Sequence, residues 1–245
     1  MKQTKRNVMK NAICVNAIYV LSTLFSVSVS ANLANDFAKG AATHNFIVAA
    51  SPSGSPAINV DEKDPYAMIR TVADITFKRF ANEQSAIREN PNLLKNIVRD
   101  ELIPYINYQY AAFKVIGSNF RQTSKEEREE FVPVFREYLI TSYAQVFTLY
   151  NNQEVQFAPA KDFSEEKVVA VNTTVIEPGR EPIDISFRVR KSSKTDEWKA
   201  YDMVAEGVSL LDSKQAELSS LIRQKGLPYV TELLKEKAEK NIVFK

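Results

Sequence analysis

The hydrophobic period of this chain changes once and then changes back. From Asp64 to Tyr150 apolar residues recur at helical spacing. From Val155 to Val204 they alternate with polar ones, and from Ser213 to Lys240 the helical spacing returns. A period of 3.6 keeps one stripe of a helix buried and a period of 2 keeps one face of a strand buried, so each change marks a change of element type. Helices, then strands, then helices define an α+β chain. Short turns between the strands make the sheet antiparallel with one buried face.

Local signals punctuate the helical part. Asp64-Pro65 pairs an N-cap residue with proline at the first helical position, followed by Ile69, Val72, Ala73, Thr76 and Phe80 on one stripe. Asn90-Pro91 repeats that start signal ahead of Leu94, Ile97, Val98 and Leu102, and Pro104 breaks or bends the helix. Tyr105 to Ile116 resumes the pattern as far as Gly117, a C-terminal cap. Thr123 with Glu126 and Ser124 with Glu127 form two overlapping capping boxes. A long stripe follows through Phe131, Phe135, Leu139, Tyr143 and Phe147, with Pro133 expected to kink it or delay its start. Glu126, Glu127, Glu129 and Glu130 read as a solvated helix start favoured by the dipole rather than as paired catalytic carboxylates.

Three or four strands come next. Val155 and Phe157 alternate, as do Val169, Val171, Thr173 and Val175; Ile183, Ile185, Phe187 and Val189 do so after the turn Glu177-Pro178-Gly179-Arg180. Ser192 to Glu197 turns into Trp198, Ala200, Asp202 and Val204, which places Asp202 in phase with Trp198 and inside, held by hydrogen bonds rather than engaged in catalysis. Asn172-Thr173-Thr174 matches a glycosylation sequon but sits in mid-strand. Helices over Ser213–Lys225 and Leu227–Lys240 flank Gly226.

Composition removes whole classes of chemistry. Cys14 is the only thiol and His44 the only imidazole, and both precede the periodic region. A Cys/His zinc site, a Cys–His nucleophile and a Ser-His-Asp triad are excluded from the folded part. Gly-rich phosphate loops and the HExxH and GxSxG motifs are absent. We therefore expect no catalytic residue, no metal site and no cofactor.

The first residues read as an address. Lys2, Lys5, Arg6 and Lys10 precede a mostly apolar Ile13–Val29, and Val29-Ser30-Ala31 has the small-x-small form of a cleavage site, so residues 1–31 are expected to be a secretory signal peptide. Removing those four from 32 Lys+Arg leaves 28 against 30 Asp+Glu, so the basic balance of the whole chain is no argument for nucleic acid. Residues 32–63, with Ser51-Pro52-Ser53-Gly54-Ser55-Pro56, read as a flexible linker and 64–245 as the folded domain.

The run from Glu89-Asn90-Pro91-Asn92-Leu93-Leu94 to Leu102-Ile103-Pro104-Tyr105 resembles the MlaC / toluene-tolerance family. So do Val115-Ile116-Gly117, Phe131 with Phe135-Arg136-Glu137-Tyr138-Leu139 and Tyr143, and above all Trp198-Lys199-Ala200-Tyr201-Asp202-Met203-Val204-Ala205-Glu206-Gly207-Val208-Ser209-Leu210. The resemblance runs from about Asp64 to Lys240. It implies a soluble periplasmic carrier of glycerophospholipid in Gram-negative bacteria, supporting outer-membrane lipid asymmetry. Its partners would be an outer-membrane lipoprotein–porin complex and an inner-membrane ABC transporter complex with its membrane-anchored substrate-binding component. The implied fold is a curved antiparallel sheet of the NTF2/cystatin-like type, capped by helices that enclose an apolar lipid pocket.

On that resemblance the alternating face Val169, Val171, Val175, Ile185, Phe187 and Val189 is expected to form the lipid-binding floor. Leu102, Ile106, Phe113, Phe135, Leu139, Tyr143 and Phe147 would form the helical walls. Two other readings use the same residues. A periplasmic chaperone or lipoprotein carrier would shield apolar polypeptide or acylated segments in such a cleft, and an NTF2-like enzyme or lipid hydrolase would act through Asp202 and Tyr201.

Overall fold

The structure, a computed structural model, describes residues 59–150 and 153–244; the expected signal segment and most of the expected linker lie outside the described residues. Asp64 caps helix α1 (Pro65–Asn82) as its sequence requires: Oδ1 accepts from the N–H of Tyr66 at 2.8 Å and of Ala67 at 3.0 Å. After α2 (Gln84–Glu89), Asn90-Pro91 makes a turn instead of a helix start. The Asn90 side chain accepts from the Asn92 N–H at 3.2 Å, and α3 (Leu93–Ile97) begins two residues later than expected. The chain then widens into a π turn over Val98–Leu102 and tightens into a 3-10 turn over Ile103–Tyr105. Pro104 supplies the reason, because it has no N–H for the Asp100 carbonyl and its ring crowds the preceding turn.

Ile106 is extended and pairs in parallel with Ala200, and the Asn107 N–H donates to the Ala200 carbonyl at 2.7 Å. Helix α4 (Tyr108–Ile116) therefore starts on an Asn107 cap, three residues after Tyr105. Gly117 ends it at φ 56°, where a Cβ would stand 2.0 Å from Gln215 Nε2, so glycine answers both the backbone and the space. Of the two capping boxes, Ser124 with Glu127 forms: Ser124 Oγ accepts from the Glu127 N–H at 3.1 Å and the Glu127 carboxylate from the Ser124 N–H at 2.7 Å. Helix α5 (Lys125–Phe147) then runs unbroken for 23 residues. Pro133 neither delays nor splits it; Pro133 is exposed, so water can reach the Glu129 carbonyl that it leaves without a donor.

Strands β1 (Glu154–Phe157), β2 (Val168–Ile176), β3 (Ile183–Lys191), β4 (Trp198–Ala205) and β5 (Val208–Ser209) form one antiparallel meander in sequence order. The β2–β3 register sets Val169 against Val189, Val171 against Phe187, Thr173 against Ile185 and Val175 against Ile183, so the alternating residues do share one face. Two features escape a simple count by twos. Ala200 faces Val189 but Asp202 faces Arg188, which makes Tyr201 the extra residue of a β-bulge. Trp198 and Asp202 thus stand on opposite faces rather than in phase. Glu206 and Gly207 at φ 49° and 78° make a tight turn into β5, a strand too short for periodicity to reveal. Ser209 then caps α6 (Leu210–Lys225), three residues earlier than expected, and Gly226 at φ 83° separates it from α7 (Leu227–Ala238).

The helices pack mainly on one another. One apolar cluster joins α4, α5, α6 and α7 through Val115, Phe131, Phe135, Leu218, Val230 and Leu234. A second joins Phe80 of α1 to Ile87, Leu94, Ile97 and Ile103, and to Ile140 and Ala144 of α5. The third cluster joins the sheet to the first half of α1, where Met68, Ile69 and Val72 cover Val169, Val171, Val189 and Trp198. Ahead of α1, Val60 packs beside this third cluster and the Glu62 carbonyl accepts from the Trp198 N–H at 2.7 Å.

Asp202 is buried as expected, though by the bulge rather than by a phase shared with Trp198, and it is fully employed. It accepts from Arg188 Nη1 at 3.1 Å, from Ser209 Oγ at 2.8 Å and from the Leu211 N–H at 3.0 Å. These bonds fasten β3, the β5 turn and the start of α6 to the bulge. We expect Asp202→Ala to lower stability by about 3 kcal/mol, since hydrogen bonds to charged groups contribute about 1.5–3 kcal/mol. A shift of the urea midpoint at unchanged m-value checks this; an unshifted midpoint refutes the structural role.

Candidate functional site

Beyond Val72 the sheet and the helices diverge, and a cavity of about 320 Å³ lies between them. Its floor is the far half of the sheet face: Thr173 and Val175 of β2 with Ile183, Ile185 and Phe187 of β3. Helix α1 forms one side through Ile69, Val72, Ala73, Thr76 and Phe77. The π and 3-10 turns bring in Leu102 and Tyr105, with Ile106 just after them. Tyr143, Val146 and Phe147 of α5 form the far wall, and Leu149, Tyr150, Val155 and Phe157 carry it round to the sheet edge. Rings brace this wall from behind: Phe77 stacks on Tyr150 at 4.8 Å between centroids, and Phe80 meets Phe147 edge-on at 4.7 Å.

The lining is almost wholly apolar and uncharged. Burial pushes the hydroxyls of Tyr105, Tyr143, Tyr150 and Tyr201 above their ordinary pKa, and for Tyr143 the negative charge of Asp202 adds to the effect. All four stay neutral across the physiological range. Asp202 borders the cavity with its oxygens committed to three donors. Among the described residues no cluster of His, Cys, Asp or Glu is suited to a metal ion, and no helix is long and apolar enough to cross a membrane. The arrangement can enclose an apolar molecule.

The sequence-predicted residues divide between two places. Leu102, Ile106, Tyr143 and Phe147 of the walls and Val175, Ile185 and Phe187 of the floor meet at the cavity. Phe135 and Leu139 instead border a separate void of about 30 Å³ behind Tyr143, shared with Leu211 and Lys214. Phe113 packs against the α4–α7 cluster with Phe120 edge-on at 5.4 Å. Val169, Val171 and Val189 share the correct sheet face but lie under α1, closed off by Met68, Ile69 and Val72. Pro133 has no bearing on the wall, because it lies ten residues, or about 15 Å, from Tyr143 along α5.

Sequence reasoning missed the contribution of α1. Its stripe was visible, but nothing in Ile69, Val72, Ala73 and Thr76 separates cavity wall from packed core, since Ala is common in cores and the Thr76 hydroxyl is satisfied by the Val72 carbonyl at 2.7 Å. The sequence marks Tyr105 and Phe157 only as parts of a helix and a strand, and Met203 gains its place from the bulge at Tyr201.

A family model described as MlaC protein matches residues 70–236, more than half of the chain. The chain belongs to the MlaC family. Among the relatives of this MlaC-family chain is the intermembrane phospholipid transport system binding protein MlaC of Haemophilus influenzae, 35% identical over 186 residues, which are 76% of this chain and 87% of that one. Among solved structures, the phospholipid-binding protein from Ralstonia solanacearum, in complex with a phospholipid, superposes with a TM-score of 0.63 at 23% identity. The match covers 71% of this chain and 97% of that one, and it establishes a shared fold.

The division of the sheet face predicts unequal costs of truncation. Val171→Ala, under α1, should lower stability by about 2 kcal/mol, whereas Ile185→Ala, facing open space, should lower it by about 1 kcal/mol or less. Chemical denaturation of the two variants side by side checks this; equal costs would mean that the cavity is closed in solution.

Proposed function

We propose that this protein is a periplasmic carrier that takes up a glycerophospholipid, holds its acyl chains between sheet and helices, and gives the lipid up unchanged. The observation that carries the reading is the apolar cavity of about 320 Å³ between sheet and helices. It falls in the size range of about 300–1,000 Å³ typical of ligand sites. The names of the Haemophilus and Ralstonia proteins support phospholipid as its content. The physical need is large. Two chains of about sixteen carbons expose roughly 30 CH₂ groups to water, on the order of 24 kcal/mol at about 0.8 kcal/mol each. A lining of Val, Ile, Phe and Tyr offsets most of that penalty without a chemical step.

In this reading residues 1–31 export the chain and are removed, and residues 32–63 tether the folded domain. Phospholipid passes between an outer-membrane lipoprotein–porin complex and an inner-membrane ABC transporter complex with its membrane-anchored binding component. The carrier sets no direction of its own; that belongs to the partners. Amino-terminal sequencing of the exported protein should begin at Asn32.

Native mass spectrometry of protein purified from periplasm without detergent tests the reading directly. We expect a mass excess of one or two phospholipids, released intact on denaturation. Phe187→Glu, which places a carboxylate on the cavity floor, should fold and lose that mass. Bound polypeptide in place of lipid would favour a chaperone or lipoprotein carrier, and accumulation of lysolipid would favour a hydrolase. A variant Phe187→Glu that folds and keeps its lipid would overturn the floor assignment.

A further inference from the structure

We propose that Arg70 grips the phosphodiester of the bound lipid at the rim of the cavity, so that the protein selects phospholipids over uncharged lipids with the same acyl chains. This rests on the carrier reading and goes beyond it. A phosphate has nothing to bind inside. The lining offers no cation: beside apolar side chains and neutral tyrosines it has Thr76, Thr173 and Gln153, which donate to the carbonyls of Val72, Ile185 and Leu149, and Asp202, whose oxygens already accept from three donors. The charged group must therefore stay at the edge, where a cation can meet it.

Arg70 is placed and equipped for this. It is exposed on α1, one turn before Ala73 and two before Phe77, both of which line the cavity. Its guanidinium carbon lies 4.7 Å from the centroid of the Phe157 ring, which lines the cavity from β1. A cation–π contact uses none of the guanidinium's five N–H donors, which remain a fork suited to two phosphate oxygens. Among the described residues Arg70 has no carboxylate within ion-pair distance, Asp74 on the next turn included.

Neighbouring arginines are already committed. Arg79 on the same helix is held by Glu83 at 2.8 Å, Asp100 at 3.0 Å and Glu101 at 2.7 Å. Arg180, on the turn between β2 and β3, pairs with Glu177 at 3.3 Å. An arginine fixed against a cavity ring yet left without an anion is the feature that a lipid phosphate would complete.

The test compares dioleoyl phosphatidylglycerol with dioleoylglycerol, two lipids with identical chains. Delipidated protein is incubated with vesicles doped with either one, recovered, and its bound lipid quantified by mass spectrometry. We expect Arg70→Ala to weaken phosphatidylglycerol uptake about tenfold or more and to leave dioleoylglycerol uptake unchanged. Arg70→Lys, which keeps the charge and loses the fork, should fall between. Equal loss of both lipids would mean that Arg70 only packs on Phe157, and no loss of either would remove it from recognition; each overturns the proposal while sparing the carrier reading. Glycerophosphate displacing the lipid as effectively as a second phospholipid would make Arg70 a free-phosphate site and also overturn it. Wild-type protein that takes up neither lipid would sink the carrier reading and this proposal together.

Discussion

Helix α5 is anchored away from the sheet, and the cavity exists because of that. Its first half buries Phe131, Phe135 and Leu139 among α4, α6 and α7, and its second half buries Ile140 and Ala144 against the cluster built on α1 to α3. The segment after α7 braces it from outside. Thr141 Oγ1 donates to the Ala238 carbonyl at 2.6 Å, and Lys95 of α3 donates to the carbonyls of Ala238 at 3.0 Å and Lys240 at 2.7 Å. Gln145 donates to the Val243 carbonyl at 2.7 Å, and Ile242 is buried beside it. An unfilled apolar gap tends to close, because its lining atoms lack contacts that closure would supply. Here closure would strip α5 of two clusters and a row of hydrogen bonds, so the wall stays where it is.

That arrangement explains why the fold was largely legible in the sequence and the site only partly so. Periodicity identified the longer helices, the strands β1 to β4 and the shared face of Val169 to Val175, because period is a property of one element and the element carries it alone. What a face meets is a property of two elements. Val171 and Val175 are equivalent in the alternation, yet the first lies under Val72 and the second opens on the cavity, a difference set by where α1 ends its contact with the sheet. Likewise Phe135 and Phe147 lie on the same helix in the same stripe, and only the second reaches the sheet side of the wall. The bulge at Tyr201 was invisible for a different reason: one inserted residue reverses the faces of all that follow, and nothing in Ala200-Tyr201-Asp202 announces it.

The bulge also links the cavity to the stability of the fold. By turning Asp202 toward Arg188 and the start of α6, it gives a carboxylate that borders the cavity three donors. A count by twos would have left that charge among Trp198 and Ala200, where an ionised group without partners is strongly disfavoured. Met203 takes the inward position instead, opposite Phe187. One local irregularity thus keeps the floor apolar and fastens the β4–β5 turn to the helix that follows.

The same separation of charge from cavity holds for the walls. The tyrosines facing inward are kept neutral by burial, and Arg79 of α1 spends its charge on three carboxylates, Glu83, Asp100 and Glu101. An interior built this way discriminates poorly between one acyl chain and another, since dispersion and burial scale with contact area and carry little directional information. Whatever selectivity such a protein has must therefore be exercised where the ligand's polar end meets the rim, by groups whose own charges the fold has left uncommitted.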